Sequence, residues 1–81
     1  MGKHSHVEID DADPESTHLW VELHNRDGTV DKIVGQYARE HRQHAYAMAK
    51  NLAEGLGLPV KINEGGDEAT PIEPSDFPTS A

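Results

Sequence analysis

His18-Leu19-Trp20-Val21-Glu22-Leu23-His24, followed by Asn25-Arg26-Asp27-Gly28, is the stretch on which the fold turns. Leu19, Val21 and Leu23 alternate with Trp20, Glu22 and His24, so an extended chain turns the first set to one face and the second to the other. That pattern predicts a half-buried strand. The four residues after it carry turn chemistry: Asn25 can bond its own backbone, and Gly28 tolerates the positive φ that closes a hairpin.

Working outward, Thr29 to Tyr37 reads as the second strand of that hairpin, with Val30, Ile33, Val34 and Tyr37 as its apolar residues. Its alternation is poorer. Lys32 falls on the inner face in the simplest register, which suits an edge strand whose lysine snorkels out. From about Glu40 to Glu54 apolar residues recur at Ala45, Met48, Ala49, Leu52, Ala53 and Leu56, a spacing of three and four that makes one helical stripe. Gly55 or Gly57 should end the helix, and Pro59 bars its continuation. Val60 and Ile62, flanking Lys61, predict a short last strand over 59–63. The expected fold is therefore α+β, a two-layer ββαβ unit over residues 18–63. Its antiparallel sheet has the order 2-1-3, and one helix covers one face.

The 81-residue chain carries a formal charge of -8, but the charge is unevenly placed. Between residues 18 and 63 there are five acids and six bases, a net of +1, whereas the flanking segments hold ten acids against Lys3 alone. Residues 1–17 read as an acidic N-terminal segment in which Val7 and Ile9 allow a short extra edge strand at 6–9. Asp10 to Ser16 reads as an extended, solvated linker, and 64–81 as a disordered, acidic, Pro-rich tail. An unit of this size has little apolar area to offset its conformational entropy, roughly 1–2 kcal/mol per residue for the backbone. A homodimer, or packing of the N-terminal strand, would add burial.

The absence of cysteine excludes disulfides, thiolate zinc sites and a cysteine nucleophile, and it favours a reducing, cytoplasmic setting. No apolar run approaches the roughly 18 residues of a membrane span. The sequence also lacks a serine nucleophile signature and a Gly-rich phosphate loop. No enzyme activity and no cofactor are expected.

Three features remain as candidates. With a four-residue loop, Trp20 pairs with Ile33, Glu22 with Asp31 and His24 with Thr29, all directed away from the helix. Trp20, Glu22, His24 and Ile33 then form an open sheet face, a surface suited to a protein partner or a second copy of the chain. A register-shifting bulge, or cover from the N-terminal segment, would instead make that face structural. Arg39, Arg42 and Lys50 form a second candidate, a basic helix face for nucleic acid. The basic excess is far below that of typical nucleic-acid binders, so direct binding is the lesser expectation. Of six histidines, His41 and His44 stand three apart on the helix, and His4 and His6 share one side of a strand. The zinc-protease spacing is absent, and no metal ligand is assigned.

The leading expectation is a non-enzymatic protein-binding module, of the kind used as a bacterial or phage accessory factor or inhibitor. Its alternatives are a nucleic-acid-binding module and an acidic nucleic-acid mimic. The C-terminal stretch with Pro71, Pro74, Phe77 and Pro78 reads as a solubilising tail or a linear recognition segment.

Overall fold

The structure, a computed structural model, describes residues 2–13, 15–65 and 69–72. Strand β1 spans His4–Asp10, β2 His18–Asn25 and β3 Val30–Ala38; a 3₁₀ turn at Arg39–His41 leads into helix α1, Arg42–Leu56, followed by β4, Val60–Asn63, and β5, Thr70–Pro71. The five strands form one mixed sheet in the order β3-β2-β1-β4-β5. Strands β1, β2 and β3 make an antiparallel meander. Helix α1 then carries the chain back across the sheet to place β4 parallel to β1, and β5 lies antiparallel on the far side of β4.

The α+β class holds, and the strand order is corrected. The expected order placed the last strand directly beside the His18–Asn25 strand and kept residues 6–9 at an edge. In the structure β1 occupies that space, central in the sheet, between β2 and β4. Burial explains the preference. Val7 and Ile9 are both 0% exposed, and their insertion completes two apolar rows across three strands, Leu23–Val7–Val60 and Val21–Ile9–Ile62. The thin core thus gains its missing apolar area from the N-terminal segment of the same chain.

Against these rows α1 sets Ala45, Ala49 and Ala53, all buried and spaced by four, so the helix approaches the sheet closely through small side chains. Tyr37, Tyr46, Leu52 and Leu58 flank the contact. Met48 and Leu56, expected in the stripe, are instead exposed. The helix ends in a Schellman motif: Gly57 is left-handed at φ 68°, its N–H donates to the Glu54 carbonyl, and the Leu58 N–H donates to the Ala53 carbonyl at 2.9 Å.

The hairpin between β2 and β3 closes at Gly28, whose φ is 93°. Two register irregularities follow, between Val21 and Glu22 and between Leu23 and His24. They correct the expected pairings. Trp20 faces Gln36 rather than Ile33, Glu22 faces Ile33 rather than Asp31, and His24 faces Val30 rather than Thr29. Bulged edges twist and resist pairing with other chains, which suits β3 at the sheet boundary, where Lys32 is exposed.

The connection between β1 and β2 is held by backbone bonds, among them Asp11 N–H to the Asn63 carbonyl and Ser16 N–H to the Asp13 carbonyl, and by the side chain of Arg39. Arg39 lies 2.7 Å from the Asp11 carboxylate through Nη1, while Nε donates to the Ser16 carbonyl at 2.8 Å and Nη2 to the Asp13 carbonyl at 2.9 Å. Beyond Gly65, Thr70–Pro71 pairs with β4, within the segment expected to lack regular structure. Residues 66–68 and 73–81, including Pro74, Phe77 and Pro78, lie outside the described residues. Among the described residues no helix is long and apolar enough to cross a membrane.

Candidate functional site

Alternation along β1 and β2 turns Val7, Ile9, Val21 and Leu23 to α1, and therefore His6, Glu8, Asp10, Trp20, Glu22 and His24 to the other face. The antiparallel register sets His6 opposite His24 and Glu8 opposite Glu22. Two short mirrored motifs, His6-x-Glu8 and Glu22-x-His24, thus close into a square of two imidazoles and two carboxylates.

The contacts within the square are short. His6 Nε2 lies 3.0 Å from Glu8 Oε1, His24 Nε2 lies 2.9 Å from Glu22 Oε1, and Glu8 Oε2 reaches His24 Nε2 at 3.6 Å. The two imidazoles stack, with centroids 4.6 Å apart and planes inclined by 25°. Ser5 Oγ sits 3.0 Å from His6 Nδ1 and fixes that ring with Nε2 toward Glu8. All four side chains are close to nine-tenths buried, with exposures from 10% to 14%.

Burial governs the electrostatics. It holds the His6 imidazole below its ordinary range; His24 and Lys61 push the same way, against the hydrogen bond to Glu8. Burial also raises the Glu22 carboxyl above the usual range, helped by a hydrogen bond with Asp10 and opposed by His24. Chemically the square offers a cluster of nitrogen and oxygen donors: one donor atom from each of His6, Glu8 and His24 lies within 4.8 Å of the others.

Of the residues singled out from the sequence, Trp20, Glu22 and His24 do share the face opposite α1. Ile33, in register with Glu22, is 58% exposed. The basic set is divided: Arg39 is held by Asp11, Asp13 and Ser16, while Arg42 and Lys50 are exposed on α1. His41 and His44 do come together, their rings stacked at 5.5 Å, on the exposed start of the helix. His4, aligned with His6 in the sequence, turns to the β3 residue Asp31 at 3.0 Å.

Sequence reasoning weighed His6 only beside His4, assigned it no role, and missed Glu8 altogether. Their signal was present as the reversed pair His-x-Glu and Glu-x-His, which meets only when β1 is laid antiparallel on β2. No protein-family model, curated protein or solved structure matches this chain.

Proposed function

We propose that the chain is a non-enzymatic binding module that docks on a larger protein through the sheet face opposite α1. One observation carries this reading: Ile33, 58% exposed, stands in register with the buried Glu22, on the side of the sheet that the helix leaves open. An apolar rim at Ile33 and half-buried Trp20 thus adjoins an acidic centre of Glu8, Asp10 and Glu22. Exposed aliphatic and aromatic side chains mark contact surfaces, and the neighbouring carboxylates would decide which partner fits. The complementary partner presents a cationic side chain, arginine above all, within an apolar patch. Such docking fits an accessory factor or an inhibitor of the protein it binds.

The test is a quantitative comparison of variants. Ile33→Asp alters an exposed position and should leave the fold intact, whereas Trp20→Ala also removes packing. A protein captured from the native host by the wild type should then be purified, and its affinity measured for wild type, Ile33→Asp and the helix variant Lys50→Ala. The expected result is at least tenfold weaker binding for Ile33→Asp and unchanged binding for Lys50→Ala. Equal affinity for wild type and Ile33→Asp would remove the sheet face as the docking surface.

A further inference from the structure

We propose that His6, Glu8 and His24, completed by Glu22, form a binding site for a first-row divalent metal ion, with Zn²⁺ the expected occupant. The site lies within the open face but does not depend on the docking reading, because every ligand comes from this chain.

Distances provide the first argument. Ligands about 2.0–2.1 Å from a tetrahedral zinc stand about 3.3–3.4 Å from one another. The contacts of the square, 3.0 Å for His6 to Glu8, 3.6 Å for His24 to Glu8 and 2.9 Å for His24 to Glu22, bracket that edge length. One donor atom from each of His6, Glu8 and His24 already lies within 4.8 Å of the others, so an ion would tighten a cluster that the strands have assembled.

Charge provides the second. Glu8 and Glu22 face each other directly across two strands, with side chains only 10% and 12% exposed. Like charges in that relation repel, and water screens them weakly at this depth. Lys61, in register with Glu8 on β4, lies on one side only. A divalent ion between the carboxylates and the imidazoles reverses the sign of each of these interactions.

The ligands are also supported from outside the cluster. A ligating histidine commonly has its second ring nitrogen held by an outer partner, which fixes tautomer and orientation. Ser5 Oγ holds His6 Nδ1 at 3.0 Å, leaving Nε2 to point into the cluster. The donors sit on two paired central strands of the sheet, so their geometry is rigid before an ion arrives. Two imidazoles with carboxylates suit zinc and its first-row neighbours, not the all-oxygen preference of calcium or magnesium, and no thiolate is present to select a softer ion.

The experiment uses the full chain without a histidine tag, stripped with a chelator and titrated with ZnCl₂ by calorimetry near pH 7.5. A 1:1 complex of micromolar affinity or tighter is expected, with a matching rise in Tm. Glu8→Gln and His24→Gln should each weaken binding more than the roughly 10- to 100-fold typical of losing an outer partner, and Ser5→Ala by about tenfold. His41→Gln with His44→Gln, which removes the exposed helix pair, should change nothing. On wild type, ¹⁵N spectra should show Zn²⁺ moving the ring-nitrogen signals of His6 and His24 and leaving His41 and His44 in place, a readout that no unfolded variant can obscure. Absence of a 1:1 complex, or ring signals that move at His41 and His44 instead, overturns the assignment.

Discussion

Glu8 and Glu22 stand directly opposite one another on neighbouring antiparallel strands, and both are buried. Residues paired in this way normally attract; like charges so placed cost roughly 0.2–1 kcal/mol. With its pKa raised in the fold, Glu22 contributes stability that is full below the ordinary value of 4.5 and is lost as pH rises through the raised value. In the presence of chelator, Glu22→Gln should therefore be more stable than wild type at pH 7, by about 0.5–1 kcal/mol. It should also lack that loss of stability with rising pH. Urea unfolding across pH 4 to 8 measures both effects, and a Glu22→Gln curve parallel to wild type would contradict the account.

Gly35 lies beneath the Tyr37 ring. A Cβ at this position would come within 2.7 Å of Tyr37 Cε2, closer than carbon atoms pack, and the ring would have to leave its place against the core. Gly35→Ala should lower stability by ~1–3 kcal/mol, the range for overpacking. Trimming the ring in Gly35→Ala/Tyr37→Leu should recover part of that loss relative to the sum of the single changes.

The two glycines at the end of α1 should respond with opposite signs. Gly57 holds φ at 68°, and alanine there costs about 1 kcal/mol through backbone strain alone, since nothing lies within 4 Å of an added Cβ. Gly55 is within the helix, equally open, and carries no positive φ. Gly55→Ala should accordingly stabilise by roughly 0.5–1 kcal/mol. Thermal unfolding of the pair separates conformational strain from any loss of contact.

Arg39 joins the connection between β1 and β2 to the end of β3 with all three of its guanidinium nitrogens. Replacement by lysine keeps the charge and loses the fork, so Arg39→Lys should behave like Arg39→Ala rather than like wild type. For both, amide exchange at 11–17 should quicken by an order of magnitude or more, while the core amides of β2 keep their protection. Unchanged exchange at 11–17 would show that the backbone there is held by something else.

The β2–β3 hairpin, the helix and the strand after it were legible because each announces itself locally: the alternation of Leu19, Val21 and Leu23, the four-residue spacing of Ala45, Ala49 and Ala53, and the stop at Gly55 or Gly57 before Pro59. The place of β1 was not. Its two apolar residues, Val7 and Ile9, are too few to signal a central strand, and His6, Glu8 and Asp10 gave it the polar look of an edge. The same polarity belongs to the histidine–carboxylate square, so the feature that concealed the strand is also the one that makes it a site. The pairings of Trp20, Glu22 and His24 were misjudged because a bulge depends on how two strands fit together, which no single stretch of sequence encodes. The side on which these three residues lie was legible, since it needs only the period of the strand itself.

A central strand that precedes its parallel neighbour by two strands and a helix has a consequence for synthesis. As the protein leaves the ribosome, the meander can form as soon as β3 has emerged, and β1 is then its outer boundary. Its parallel neighbour, Val60–Asn63, is translated much later, and the helix that delivers it must fold in between. Until then the nascent sheet shows the unpaired backbone of β1, with Val7 and Ile9 uncovered by α1. Closure by a contact so distant in sequence is intrinsically slow. The interval before β4 docks is thus the time when the newborn chain is most open to a chaperone, to a protease, or to another copy of itself.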